Sequence, residues 1–322
     1  MKILQIASEQ FSMESSKIIN KQGNHRSEVV LVQKTPIYNS DDLNYDWLFV
    51  YSDKKPILLL KLLKKLLLSD YDILVLHGCT ISIRHFPFFE YKFVRKMRGE
   101  IPIVFMLHSQ NRVQKLLRKK IYEYFMRDRR LLVTYVSINM PKYLPEASLY
   151  TPQPIPNIFR PNSQIDPDDP PVVFLPSGGS WAYRWKGKAI LLKSLKAIKR
   201  RGVKFQYREH KGRLLYYEMA KYYWKSTLVF DQIYDEVYGK VTPEAFMCGR
   251  VALNDSYYPL EENTVDKNNL TSKLEMFLTD EELRRKVAEK GREIVFKRHS
   301  AEAATKRFVN ILELFVEAKG LS

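Results

Sequence analysis

The segment over residues 231–255, DQIYDEVYGKVTPEAFMCGRVALND, carries side chains whose types and spacing suit chemistry. Its pattern indicates a strand end, a loop, a short helix and a second strand. In open α/β sheets the crevice beyond the carboxyl ends of the strands binds ligands, and amides at a following helix start attract phosphate. Gly239 would let a ligand approach the backbone closely, and Glu236 and Glu244 lie around it with seven residues between them. The segment therefore predicts a ligand site.

Two residues mark the limits of the short helix in this segment. Pro243 suits the first turn, where its missing N–H has no partner within the helix, and Gly249 suits the helix end. In that first turn Glu244 could simply interact with the helix dipole, which is worth about 0.3–1 kcal/mol. The spacing of the glutamates and the residues around them favour a functional role instead.

Short apolar runs alternate with amphipathic helical stretches along the chain, which is the pattern of parallel sheets wrapped by helices. The fold class predicted from this order is α/β. The predicted strands are Lys2 to Ile6, Val29 to Val32, Ile73 to Leu76, Ile103 to Leu107, Val133 to Val136, Val172 to Leu175, Phe205 to Arg208, Thr227 to Phe230 and Arg250 to Leu253. The predicted helices of the second half are Lys188 to Arg200, Leu214 to Lys225, Pro243 to Met247 and the stretch after Glu281.

The length of 322 residues predicts two domains, because a single core rarely supports so long a chain. The segment Pro152 to Pro171 contains seven prolines and three aspartates, which suit neither a helix nor a strand, and it reads as a linker. We therefore expect one domain over residues 1–160 and a second over 161–322, the second ending in a helical tail that closes the structure.

The composition, with 45% hydrophobic and 28% charged residues, is that of a soluble globular protein and excludes a disordered or collagen-like chain. Lysines interrupt the most apolar stretch, ILLLKLLKKLLL, so it is not a membrane span. The short apolar run at the N-terminus reads as a strand and not as a signal peptide, so we expect a cytoplasmic protein. Cys79 and Cys248 lie far apart, which predicts neither a disulfide nor a zinc site.

The residues around the two glutamates resemble the paired-glutamate motif of glycosyltransferase family 4, the retaining GT-B enzymes of glycosyl transferases group 1. Members typically read E-G-F-G-x-x-x-x-E-A-M-A-x-G-x-P-V, and this chain reads E-V-Y-G-K-V-T-P-E-A-F-M-C-G-R-V-A at the same spacing. Trp185-Lys186-Gly187 looks like the family's phosphate-binding lysine followed by glycine, and Asp280 to Ser300 is similar to its C-terminal region. The resemblance spans about residues 170–310; in the first half it rests on YDILVLHG, IPIVFMLHS and VSINMPKYLP.

The resemblance implies a GT-B fold, in which two Rossmann-like domains face each other across a cleft, and the transfer of a sugar from a nucleoside-diphosphate sugar. It implies that Lys186 neutralises the diphosphate, that Glu244 binds the nucleotide ribose, that Glu236 contacts the transferred sugar, and that His108 faces this sugar from the other domain. It implies neither a metal ion nor another cofactor. The donor-binding residues implied in the same region are Lys186, Arg184, Tyr238, Gly239, Lys240, Val241 and Glu244.

Two positions depart from the family pattern. Many members carry an arginine five residues before the lysine, where this chain has Trp181, and Arg184 is the candidate substitute. The loop after the first strand usually holds glycines that let amides meet the diphosphate, whereas the segment Ser8 to Lys17 has none. Three alternatives therefore stay open: an epimerase or hydrolase of the same fold, a binding module without turnover, and a nucleic-acid partner. Nucleic acid ranks last because no nucleic-acid motif appears.

The net charge of +17 favours anionic partners. Two basic stretches lie in the first half: Lys54 to Leu68, where Lys61, Lys64 and Lys65 share one helical face, and Arg112 to Arg130. The leucines of the first stretch predict a helix packed on the sheet, with its lysines solvated. Many family members act on lipid-linked acceptors, so the expected partners are a glycan or lipid-linked acceptor and the cytoplasmic, anionic face of a membrane.

Overall fold

The computed structural model describes residues 1–7, 10–31, 56–77, 89–107, 123, 127–136, 148–165, 167–176, 186–210, 214–234, 238–318 and 320. The chain divides into two compact units. Met1–Pro154 and Ala301–Ser322 together form the first, and Ile155–Ser300 forms the second.

Strands and helices alternate along most of the described chain, as the apolar pattern predicts. The strands are β1 (Lys2–Ala7), β2 (Arg26–Leu31), β3 (Ile73–His77), β4 (Ile103–Leu107), β5 (Leu131–Tyr135), β6 (Leu149–Tyr150), β7 (Val172–Leu175), β8 (Gln206–Glu209), β9 (Leu228–Gln232) and β10 (Val251–Asn254). The helices are α1 (Gln10–Gln22), α2 (Pro56–Leu68), α3 (Phe89–Met97), α4 (Lys188–Arg200), α5 (Tyr216–Lys225), α6 (Val241–Met247), α7 (Leu270–Thr279), α8 (Glu281–His299) and α9 (Ala301–Glu317).

The first unit is built on a parallel sheet with the strand order β2-β1-β3-β4-β5-β6. Alternate residues of a strand point to opposite faces, so β3 contributes Leu74 and Leu76 to one face and Ile73 and Val75 to the other. Helices α2 and α3 cover the first face, and α1 and α9 cover the second. Burial on both faces explains why these strands read as continuous apolar runs.

The helix α9 packs in the first unit, which differs from the predicted division at residues 160 and 161 with the helical tail in the second domain. Its apolar stripe, which includes Phe308, Leu312 and Phe315, shares a core with Ile3 and Ile73 of the first sheet. The physical reason for the difference is that a helical period identifies a buried stripe but not the sheet which that stripe covers.

The lysines of α2 divide between solvent and an ion pair. Leu62 and Leu66 are buried and Lys64 is exposed, which fits the predicted amphipathic helix. Lys65 differs from the prediction, because its Nζ lies 2.5 Å from Oε2 of Glu28 in β2 and its side chain is 13% exposed. Lys65 is therefore not a solvated lysine, and the side chain of Lys61 lies outside the described residues.

The second unit is built on a parallel sheet in the order β10-β9-β7-β8, in which β7, β9 and β10 are buried. Helix α6 packs against α8 and β10. Close packing of α6 on α8 requires Gly291, because a Cβ there would lie 2.3 Å from Cε1 of Phe246. Asp280 caps α8 by accepting a hydrogen bond from the amide of Leu283 at 2.9 Å.

Several limits of the predicted elements are confirmed. Strands β4 and β7 and helix α4 have the predicted ends, and the other predicted strands are displaced by a few residues. The segment Ser8 to Lys17 was expected to be a loop, but α1 begins at Gln10, so most of this glycine-free segment is helical. The sequence did not predict β6 or α7.

Candidate functional site

A hydrogen-bond network lies at the carboxyl edge of the second sheet, where β9 and β10 end. Asp231 of β9 is fully buried, and its Oδ1 accepts a hydrogen bond from Lys186 Nζ at 3.0 Å. Its Oδ2 accepts from the Gly239 amide at 3.1 Å and from Thr242 Oγ1 at 2.9 Å. Asn254, the last residue of β10, donates from Nδ2 to Thr242 Oγ1 at 3.2 Å. The network joins Lys186 to the loop that precedes α6.

The ammonium group of Lys186 is held immediately before the start of α4. The residue is only 5% exposed, and a buried ammonium must be paired because desolvating a charge is costly. Gly187, the N-cap of α4, has a φ of +80°, and a Cβ there would lie 2.3 Å from Cγ1 of Ile233. Glycine is therefore required after Lys186 by both the left-handed backbone and the contact with Ile233.

Helix α6 ends at the predicted Met247 but begins at Val241, two residues before the predicted Pro243. Pro243 lies in the first turn, where its missing N–H is not needed. At the other end Gly249 has a φ of +76°, its amide donates to Phe246 O at 2.9 Å, and the Arg250 amide donates to Ala245 O at 2.9 Å. These two bonds form a Schellman motif, which turns the chain directly into β10.

Glu244 lies in the first turn of α6 with its carboxyl group buried. Tyr223 OH donates a hydrogen bond to Glu244 Oε2 at 3.0 Å. Burial raises the pKa of Glu244 to about 7; the charges of Lys240 and Lys186 and the Tyr223 hydrogen bond oppose this rise, and the charge of Asp231 adds to it. Groups with such shifted pKa values concentrate at functional sites. The role of Glu244 is therefore not limited to a surface interaction with the helix dipole.

Aromatic contacts hold Tyr238, which lies shortly before α6. The Tyr238 ring stacks on Tyr258 with a centroid distance of 4.1 Å, and its OH lies 3.1 Å from His299 Nε2. Lys240 and Val241 follow as the N-cap and the first residue of α6, and both are partly buried. Tyr238 therefore has a fixed place next to Gly239, whose amide belongs to the network.

A comparison with known families covers the part of the chain that contains this network. The family model described as "Glycosyl transferase-like" matches residues 178–310. The match extends from the segment before α4 through α8 and into α9, and it includes all the residues of the network. The sequence matches none of the curated proteins.

Solved structures with a similar fold cover nearly the whole chain. An alpha-glucosyltransferase in complex with UDP-glucose and DNA containing an abasic site shares 15% identity over 97% of this chain and 98% of its own, with a TM-score of 0.64. Sucrose-phosphate synthase from Thermosynechococcus elongatus shares 14% identity over 99% and 100%, with a TM-score of 0.63. A Listeria monocytogenes protein described as a UDP-N-acetylglucosamine 2-epimerase shares 13% identity over 99% and 97%, with a TM-score of 0.56. These likenesses confirm the predicted α/β, GT-B fold.

The carboxyl edge of the second sheet brings some of the predicted site residues together. Lys186 and Gly239 both donate hydrogen bonds to the carboxylate of Asp231. Glu244 lies close enough for the charges of Lys186 and Asp231 to affect its pKa. The predicted residues that lie outside the described part of the chain are Glu236, His108 and Arg184.

The sequence analysis assigned no role to three residues of this region, Asp231, Thr242 and Tyr223. An acidic residue at the end of the apolar strand LVFDQ was a usable signal, because a buried carboxylate must find a donor or a cation.

Among the described residues, no helix has the length and apolarity needed to cross a membrane. In the same part of the chain, no group of three or more His, Cys, Asp or Glu residues is placed to hold a metal ion.

Proposed function

We propose that the protein transfers a sugar from a nucleoside-diphosphate sugar to an acceptor, with retention of the anomeric configuration and without a metal ion. The observation that carries this proposal is the network at the carboxyl edge of the second sheet, which joins Lys186 to the start of α6 within the segment matched by the glycosyl transferase-like model. Lys186 and Glu244, which the resemblance assigns to the donor, both belong to this edge.

The donor diphosphate is assigned to Lys186 and the start of α4. Helix α4 begins at Lys188, its first turn contains no acidic residue, and no described side chain caps it. The positive end of the helix dipole and the first amides of α4 therefore favour an anion beside the ammonium group. Charges fixed in this way stabilise the diphosphate as it leaves, without reorganisation at the moment of reaction.

The nucleotide ribose is assigned to Glu244. An ionised carboxylate accepts hydrogen bonds from ribose hydroxyls, and its pKa of about 7 leaves a large ionised fraction at neutral pH. The transferred sugar is assigned to Glu236 and His108, and Arg184 supplements Lys186 at the diphosphate. These three assignments rest on the family resemblance alone.

The acceptor is assigned to a glycan or lipid-linked molecule, met at an anionic membrane surface. The ends of α2 and α3 support this part of the proposal, because they combine exposed apolar and basic side chains. This α2–α3 surface consists of Lys64, Leu68, Lys96 and Met97. Arg98 Nη1 donates to the Ser69 carbonyl at 2.7 Å and thereby ties the two helix ends together. Apolar residues flanked by lysines suit the headgroup region of an anionic bilayer.

Two observations favour alternatives. The UDP-N-acetylglucosamine 2-epimerase described above has the same fold, so an epimerase or a hydrolase would use a similar donor site. The segment after β1 is helical from Gln10 and contains no glycine, which favours a binding module without turnover.

The test has a binding stage and a product stage. UDP, GDP and their sugars are screened for thermal stabilisation, because a ligand that binds only the folded state raises apparent stability by mass action. The stabilising sugar nucleotide is then incubated with glycan and lipid-linked acceptors. A glycosylated acceptor supports transfer, free sugar indicates a hydrolase, and an isomerised donor indicates an epimerase. If no nucleoside diphosphate or sugar nucleotide stabilises the protein, the proposal is wrong.

A further inference from the structure

Asp231 is bound by three different parts of the second unit. Lys186 comes from the residue pair before α4, Gly239 from the loop before α6, and Thr242 from the first turn of α6. All three donate to the same carboxylate, which is fully buried at the end of β9.

The kind of donors matters as much as their number. An ammonium group, a backbone amide and a hydroxyl group are the donors that proteins direct at phosphate groups. Here the carboxylate fixes where each of them lies, and Asn254 fixes Thr242 from the neighbouring strand β10. Asp231 therefore acts on the region of the proposed diphosphate site without having to touch a ligand itself.

We infer that Asp231 is the positioning residue for diphosphate recognition. It holds the ammonium group of Lys186 in place beside the start of α4, and it fixes Gly239 relative to α6. The inference rests on the proposed function, because it names the residue that sets the affinity of the proposed donor site for the diphosphate. It does not follow from the family resemblance, which assigns roles to Lys186 and to the glutamates.

The physical reason lies in the burial of Lys186. The ammonium group of a buried lysine is held in one position by its paired carboxylate, because desolvating a charge is costly. In Asp231→Asn the amide oxygen can still accept one hydrogen bond, but the negative charge is lost. The Lys186 ammonium group is then held less firmly, so an anionic ligand is affected more than a neutral one.

The experiment compares UDP with uridine, and GDP with guanosine, by calorimetry on the full chain. For the pair that binds the parent, Asp231→Asn should lower the affinity for the nucleoside diphosphate by about ten- to a hundredfold, the range of a lost charge-assisted bond. The affinity for the nucleoside should change by less than about threefold. Asp168→Asn is the matched control, because it removes the carboxylate that pairs with Arg208 elsewhere in the same unit.

A double-mutant cycle separates positioning from a general loss of structure. If Asp231 acts through Lys186, then Asp231→Asn should have little further effect on diphosphate affinity in a Lys186→Gln background. Circular dichroism establishes that each variant is folded. If Asp231→Asn does not fold, Asp231→Glu replaces it in the cycle, since it keeps the negative charge but moves it relative to Lys186 Nζ.

Each outcome bears on the inference. Diphosphate-selective and non-additive losses support it. Equal losses for nucleoside and diphosphate, additive losses, an unchanged affinity, or a higher diphosphate affinity in Asp231→Asn would all overturn it and leave the proposed donor site standing. If the parent binds neither nucleoside diphosphate, then the proposed function and the inference both fall.

Discussion

Replacing Glu244 by glutamine should change the way in which stability depends on pH. The pKa of Glu244 is about 7 in the folded protein, against 4.5 for an ordinary glutamate, because the carboxyl group is buried. The folded state therefore holds this proton more tightly than the unfolded chain. The contribution of Glu244 to stability is greatest in acid, falls as the pH rises from 4.5 to about 7, and is constant above that.

The size of the effect follows from the two pKa values. Each pH unit between them corresponds to about 1.36 kcal/mol, so ionising Glu244 in the folded state costs about 3 kcal/mol of unfolding free energy. Glutamine does not ionise, and its side-chain oxygen can still accept the hydrogen bond from Tyr223. Glu244→Gln should therefore match the parent near pH 4.5 and exceed its stability by about 3 kcal/mol at about pH 8.

The assay is urea unfolding followed by circular dichroism, for the parent and the variant, at a series of pH values. Only the difference between the two proteins is used, because all other titrating groups are shared. Tyr223→Phe is the second variant: the Tyr223 hydrogen bond lowers the pKa of Glu244, so its removal should extend the loss of stability to higher pH. A difference between parent and Glu244→Gln that is the same at every pH would refute the reasoning.

The remaining predictions concern ligands and lipid. Nucleoside affinity should rise severalfold between about pH 6 and about pH 8 in the parent and stay constant in Glu244→Gln, because ribose hydroxyls bind best to the ionised carboxylate; titration calorimetry measures both. Lys186→Ala should weaken the binding of a nucleoside diphosphate at least about tenfold more than that of the nucleoside, again by calorimetry. Glu236→Gln should spare binding of the nucleoside diphosphate and reduce turnover, which steady-state kinetics would separate. The parent should sediment with anionic vesicles at low salt and be released as salt rises, and Lys64→Gln with Lys96→Gln should reduce sedimentation.

Controls for these predictions are available in the same chain. Lys193→Gln with Lys196→Gln removes the same charge from the exposed side of α4 and should leave vesicle binding unchanged. Equal losses of nucleoside and diphosphate in Lys186→Ala would contradict the assignment of Lys186 to the phosphate. If Glu236→Gln reacts as the parent does, the assignment of Glu236 to the sugar is wrong. Failure of the parent to bind anionic vesicles even at low salt would defeat the membrane proposal.

Local signals predicted most elements because each depends on residues close together in the chain. Buried strands such as β4 read as apolar runs, and α6 was bounded by Pro243 and Gly249. The sheet that α9 covers could not be read in this way, since that choice is made by contacts with β1 and β3, hundreds of residues away.

In the candidate site too, local sequence signals predicted some features, and contacts between distant residues determine the others. Lys186 and Glu244 were assigned roles by their resemblance to a motif, whereas Asp231 was given none, because its importance comes from the donors Lys186, Gly239 and Thr242 that meet at its carboxylate. The pKa of Glu244 likewise depends on burial and on Tyr223, neither of which the spacing of the glutamates reveals. The assignments of Glu236, His108 and Arg184 stay predictions.

The divided first unit has a consequence for how the protein is made. Residues 155–300 are continuous, so the second unit can fold as soon as it has left the ribosome, whereas the first unit must wait for α9. At about 5–20 residues per second, the intervening chain takes roughly 7–30 s to synthesise. During that time the face of the first sheet that contains Ile3, Val75 and Met106 lacks one of its two covering helices, and its uncovered part is open to aggregation or to a chaperone. The unit whose synthesis begins first is thus the last to complete its folding.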